Sequence, residues 1–244
     1  MGLDGPLYAA LVIAFAGLVG STAIAERVPE GHPSVSLGEL VALGRSKSLL
    51  GVSLLGFLAT FNMMATTFGF TPIFAQQAGA SKEQLGYLMS FFNLFMTLSL
   101  FLAGSVLLRF FSERKILTAG FMVTAGAVLL TPLASRVETL YLVQAVNGIG
   151  IGLILPLLMG LAIRPFPTNK KATAMGFYQS TYALGMTLGP ILSGWVGAHL
   201  GLPSIFILNG LLCLLPPLVP ALLGNLDLKP EVVSQSSVSE KDPP

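Results

Sequence analysis

Long uncharged runs separated by short charged stretches set the pattern of this chain. Seven runs are read, at residues 6–25, 49–76, 84–108, 116–134, 139–163, 172–198 and 203–223. The last two are divided by Gly201-Leu202-Pro203. Each run is close to or above the ~20 residues a helix needs to cross a hydrocarbon core. Apolar residues are continuous within the runs rather than alternating, which predicts helices and not barrel strands. The expected fold is therefore all-α, a polytopic membrane bundle of about seven transmembrane helices. The first run ends in Ala23-Ile24-Ala25, similar to a signal-peptide cleavage site. The segment before it carries Asp4 and no Lys or Arg, however, so the positive flank of a signal peptide is missing and the run reads as a transmembrane helix. The organisation expected is a first helix at 1–25, a cytoplasmic connector at 26–48, a six-helix body at 49–224 and a disordered cytoplasmic tail at 225–244. A short interfacial helix or a floppy connector both suit the apolar patch at 37–43.

The charges sharpen this topology. Seven crossings put Lys and Arg at 27, 45, 47, 109, 114, 115, 164, 170, 171, 229 and 241 on one side, and only Lys82 and Arg136 on the other. Eleven against two marks the first side as cytoplasmic. The expected protein is multi-pass in the cell (plasma or inner) membrane, with its N-terminus outside and its C-terminus in the cytoplasm. Composition agrees. Hydrophobic residues make up 53% of the 244, charged residues only 10%, and mean hydropathy is +0.79. Soluble domains carry ~25% charged residues. The formal net charge of +2 gives no reason to expect a nucleic acid as partner. A single cysteine, Cys213, and two separated histidines, His32 and His199, offer neither a disulfide framework nor a metal cluster. No metal or cofactor is expected.

No Asp, Glu, Lys, Arg or His lies in the middle of any run, so proton relays and voltage sensors have no material here. No nucleophile has a base beside it, and an enzyme is not expected. What the runs contain is uncharged polar groups at helical spacing. Asn62 and Thr66 lie in the second run, with Thr67 beside them. Asn93 and Thr97 lie in the third, Gln144 and Asn147 in the fifth, and Tyr178, Gln179 and Tyr182 in the sixth. Such spacing places each pair on one helical face. Two readings are open for each residue. One is a bond between helices, worth ~0.6 kcal/mol. The other is contact with a solute in a polar interior lined by runs two, three, five and six. Taken as a set, the second reading gains, because the other three runs lack such pairs. Glycine and proline add to it. Gly148, Gly152, Pro156 and Gly160 form a ladder in run five, and Gly185, Gly189, Pro190 and Gly194 recur in run six. They suit close packing and also a hinge or sliding surface. Gly69 and Pro72 mark a weak point in run two.

These residues resemble the C-terminal half of a major facilitator superfamily transporter, from its sixth to its twelfth helix. The segment from Gly104 through Arg109, Arg114 and Lys115 is similar to the family's glycine-to-basic loop, with Leu108 where the family has an acid. Gln144, Asn147, Gly148, Gly150 and Gly152 resemble its Arg-x-x-polar-Gly-x-Gly helix, with Gln144 in place of the arginine. Ala174 through Ser180, followed by Gly185, Gly189-Pro190 and Gly194, looks like its eleventh helix and the glycine-proline motif of drug-exporting members. The resemblance implies that runs two, three, five and six shape a central cavity. It also implies alternating access for a small neutral or amphipathic solute, with efflux as one form of it. Asn62, Thr66, Asn93, Gln144, Asn147, Tyr178, Gln179 and Tyr182 would then contact solute, and Gly148, Gly152, Pro156, Gly185, Gly189 and Pro190 would form packing or hinge points. The family has two six-helix halves, so the resemblance implies an incomplete chain whose partners are the lipid bilayer, a small-molecule substrate, and a complementary first half or a second copy. A non-transporting fragment and a seven-helix receptor or sensor are the alternatives.

Overall fold

A computed structural model describes residues 4–22, 38, 43–44 and 46–218. Most of the expected connector, the whole tail at 225–244, His32, and the end of the seventh run beyond residue 218 lie outside the described residues. The chain divides into two units, Met1–Val35 and Ser36–Pro244. The first contains helix α1 (Asp4–Thr22). The second contains α2 (Lys47–Gln77), α3 (Lys82–Leu102), α4 (Glu113–Leu133), α5 (Val137–Ile163), α6 (Thr168–Leu200) and α7 (Leu202–Leu218). No strand occurs among the described residues. The architecture is the all-α membrane bundle that the pattern predicts. By length and apolar character alone, α2 to α5 are each able to cross a membrane.

The helices of the second unit begin before the apolar runs because charge marks the edge of lipid and not the end of a helix. Glu83, Glu113 and Glu138 all sit in first turns, where a carboxylate meets the positive end of the helix dipole. The α3 start is closed further by a capping box, in which Ser81 and Gln84 satisfy each other's backbone N–H groups. α6 opens with Lys170 and Lys171 inside its helical turns. Gly201, at φ +86°, ends α6 in a conformation that a side chain would resist, and Pro203 lies in the first turn of α7.

Packing arranges the second unit in two layers. α3 lies on α5, α5 on α2, and α2 on α6, which makes a row of four. α4 and α7 pack on each other behind it, α4 against α5 and α7 against α6 and α2. The four helices rich in polar pairs are thus neighbours in one layer, and the polar-poor α4 and α7 form the other. Two backbone crossings hold the row together. A methyl group at Gly148 or Gly152 of α5 would collide with the carbonyl oxygens of Phe92 or Met96 of α3. A methyl group at Gly185 or Gly189 of α6 would collide with those of Phe57 or Phe61 of α2. Each crossing carries a hydroxyl bond to backbone, Ser99 to the Ile149 carbonyl at 2.9 Å and Thr60 to the Tyr182 carbonyl at 3.0 Å.

α3 and α6 hold equivalent outer places in the row, and their sequences match. Gly86, Ser90, Leu94, Met96-Thr97-Leu98 and Leu102 recur at the same spacing as Gly176, Ser180, Leu184, Met186-Thr187-Leu188 and Leu192. The two helices run in opposite directions through the layer, as an inverted internal repeat does.

At one end of the bundle, Arg164 pairs bidentately with Glu113 and ties the end of α5 to the start of α4. Lys47, Arg109, Arg114, Lys115, Lys170 and Lys171 share that end, against Lys82 and Arg136 at the other.

Candidate functional site

The centre of the row is the contact of α2 with α5, and two residues of this chain disturb a regular helix there. Pro72 has no N–H to give, and its ring crowds the carbonyl four residues before it. α2 widens ahead of it into a π-helical stretch at Met64–Phe70, with the Thr71 N–H reaching back to the Thr66 carbonyl. Such widened turns are frequent at functional sites. Gly69 stands inside the stretch, close to the Met64 carbonyl. The weak point expected from Gly69 and Pro72 is therefore a real change of helix type.

Along this stretch α2 and α5 run antiparallel and meet through side-chain polar groups. The Asn147 amide donates to the Thr67 hydroxyl at 2.9 Å, and the Gln144 amide donates to the Thr71 hydroxyl at 3.2 Å. The Thr66 hydroxyl donates to its own helix, at the Asn62 carbonyl, 2.8 Å away. Asn62, Thr66, Gln144 and Asn147 are each at most 2% exposed. Gln144 and Asn147 thus lie against α2 at Thr71 and Thr67, while Asn62 and Thr66 are buried beside each other on α2. Gln144 Oε1, Asn147 Oδ1 and Asn62 Nδ2 are buried and have no partner. Closer to the basic end, Tyr178 of α6 is equally buried, its ring lying over Gly56 of α2 and its hydroxyl unpaired, as is the Ser53 hydroxyl.

The remaining expected site residues sit differently. Asn93 and Gln179 are exposed, on α3 and α6, and Tyr182 is half-buried with its ring centroid 6.2 Å from that of Tyr178. The Asn93 amide donates to its own helix at the Met89 carbonyl, 2.7 Å away. Of the glycine and proline positions, Gly148, Gly152, Gly185 and Gly189 are the crossing points of the row. Pro156 and Pro190 are half-buried within α5 and α6, and Gly160 has open space where a methyl group would stand. The ladder of run five is thus packed in its first half only. Around the seam the lining is aromatic and thioether. Met63, Phe92 and Ile151 form a cluster with Met64, Met96 and Leu155 against it, and Phe68 meets Phe92 edge to face at 5.9 Å.

Thr71, which pairs with Gln144, was not among the expected site residues, and neither was Thr67. Their role depends on the register of α2 against α5, which no spacing within one helix reveals. Losing the Thr67 hydroxyl strands a buried amide, so Thr67→Val is expected to cost about 1–3 kcal/mol in a thermal or denaturant unfolding assay. Thr67→Val combined with Asn147→Leu is expected to cost less than the sum of the single changes. The coupling should be ~0.6 kcal/mol and no more than about 1.7. Additive losses would show that the bond contributes nothing.

Among the described residues, no three of His, Cys, Asp and Glu come together in a way that could hold a metal ion. The chemistry of the layer is that of amides, hydroxyls, thioethers and aromatic rings.

Comparison with known proteins places these features in context. The family model described as Major Facilitator Superfamily matches residues 52–242. The multidrug export protein EmrB of Haemophilus influenzae is 25% identical over 177 residues, which cover 72% of this chain and 33% of that protein. The MFS-type transporter SLC18B1 of Mus musculus is 26% identical, over 75% of this chain and 39% of the relative. The riboflavin transporter RibZ of Clostridioides difficile is 25% identical, over 57% and 30%. The chain thus spans about a third of the length of these relatives.

Proposed function

This chain belongs to the Major Facilitator Superfamily, and on that premise we propose that it forms one half of a secondary transporter that moves a small neutral or amphipathic solute by alternating access, and is not an enzyme. The observation that carries this reading is the row of α3, α5, α2 and α6. It gathers the uncharged polar groups in one layer and joins its helices at glycine crossings, where backbones slide with least obstruction. The thioethers and rings of Met64, Met96, Phe68 and Phe92 supply adaptable apolar surface. Asn93, Gln179 and Tyr182 supply directed bonds from positions that face out of the bundle or nearly so. Relatives named for multidrug export and riboflavin transport support a small, ring-containing solute, with efflux as one direction. Rocking needs a second body, so the working unit contains a complementary first half or a second copy of this chain.

Seven basic residues at one end of the second unit, against two at the other among the described residues, support an orientation. The tail and the basic end then face the cytoplasm, and the N-terminus lies outside. Single cysteines in a Cys213→Ala background test it. Ser112→Cys should react with an impermeant maleimide only in inside-out vesicles, and Ser81→Cys only in intact cells. The reverse pattern would invert the topology. Transport itself is tested in cells that produce the chain together with the first half of a relative, by following accumulation of an amphipathic dye. Lower or higher accumulation than with either piece alone supports the reading, and identical accumulation opposes it.

A further inference from the structure

Gln144 and Asn147 give their amide N–H groups to α2 and keep their carbonyl oxygens buried and unpaired. The two residues are three apart, so both side chains emerge on the α5 face that meets α2. An acceptor left without a donor in the interior of a membrane bundle is costly, and two of them one turn apart ask for a common partner. Facing them is the π-helical stretch of α2. Because Pro72 gives no N–H, it cannot donate to a carbonyl in the turn before it. The hydroxyl oxygens of Thr67 and Thr71 lie within hydrogen-bond distance of the same two amides.

This donor set has a definite chemical preference. All of its atoms are oxygens, and none carries a charge. An anion is repelled by unpaired acceptors. A divalent ion would bring two positive charges into a seam with no carboxylate, since the acids of α2 to α5 stand in first turns at the helix ends. A hard monovalent cation brings one charge and takes oxygen ligands. Unwound helix carbonyls with side-chain oxygens are a known way for a membrane bundle to hold Na⁺. We infer that Gln144, Asn147, Thr67 and Thr71 form a binding site for Na⁺ at the contact of α2 and α5. Such an ion clamps the two central helices of the row where α2 is least regular. Its presence or absence then changes how firmly they are joined. The inference stands on the seam alone and does not require the chain to move a solute.

The test is binding of ²²Na⁺ to the full chain in lipid nanodiscs, free of solute. Saturable binding that excess unlabelled NaCl displaces, and choline chloride does not, is the expected result. Gln144→Leu with Asn147→Leu should lower the affinity by about tenfold or more. Asn147→Asp keeps an oxygen in place and should retain binding. A signal in the unsubstituted chain that excess NaCl fails to displace overturns the site, whatever the variants do. So does affinity that is unchanged in the double leucine variant. Absence of displaceable binding in the unsubstituted chain overturns the site without reference to any variant, so a variant that fails to fold does not shelter the inference.

Discussion

Gly148→Leu is expected to leave no monodisperse folded protein after extraction from the membrane. α3 joins the bundle through a narrow stripe, with Leu88, Phe92 and Ser99 buried and most of its remaining surface exposed. That stripe rests on the surface of α5 at Gly148 and Gly152, where the α3 backbone itself is the neighbour. A side chain cannot be accommodated by a rotamer change, because what it meets is a carbonyl group fixed in a helix. Gly148→Ala should already cost about 1–3 kcal/mol by overpacking. That is a large part of the ~5–15 kcal/mol that holds a typical fold. Leucine should force the two helices apart. Gly160→Ala and Gly126→Ala are the controls. They lie in the same helix class with open space around the new methyl group, and alanine's better helix propensity makes them neutral or stabilising by up to ~1 kcal/mol. Melting temperature and elution profile separate the two outcomes. Equal tolerance at Gly148 and Gly160 would mean that the crossing is not as close as described.

Asn93→Leu, Gln179→Leu and Tyr182→Leu are expected to leave the fold intact and to raise the solute KM about tenfold each, the equivalent of losing one directed bond in a water-poor site. The Asn93 side chain bonds only to its own helix, Gln179 is exposed, and Tyr182 contributes its backbone carbonyl, not its hydroxyl, to the α2–α6 crossing. Asn147→Leu should behave in the opposite way, lowering the melting temperature, because its amide is spent on Thr67. Transport kinetics beside thermal unfolding distinguish the groups. Unchanged KM in all three exposed variants would remove them from the solute path.

The contrast shows where the sequence is readable. Long uncharged runs announce helices because lipid allows little else, and the positions of Lys and Arg order them. The division between polar-paired helices and polar-poor ones reappears as the two layers of the bundle. Helix ends are less legible. Acids in the first turns of α3, α4 and α5, and lysines in α6, extend helices past the apolar core without breaking them. Which polar residue meets which is not legible at all. Asn62, Gln144 and Asn93 look alike in sequence, yet two are sealed between helices and one is exposed. The choice depends on helix rotation and on the register that pairs Thr71 with Gln144 and Thr67 with Asn147. Gly69 and Pro72 signalled a weak point in α2, but the π-helical form that results depends on the whole turn.

Solute flux in proteoliposomes tests the central claim most directly. The chain is purified, reconstituted with a complementary first half or at a density that favours self-association, and loaded against a gradient of an amphipathic fluorescent solute. The predicted result is saturable flux above that of empty vesicles, and its loss when Gly185→Leu separates α6 from α2. Flux no greater than in empty vesicles under every pairing, with the protein folded and inserted, would contradict the account.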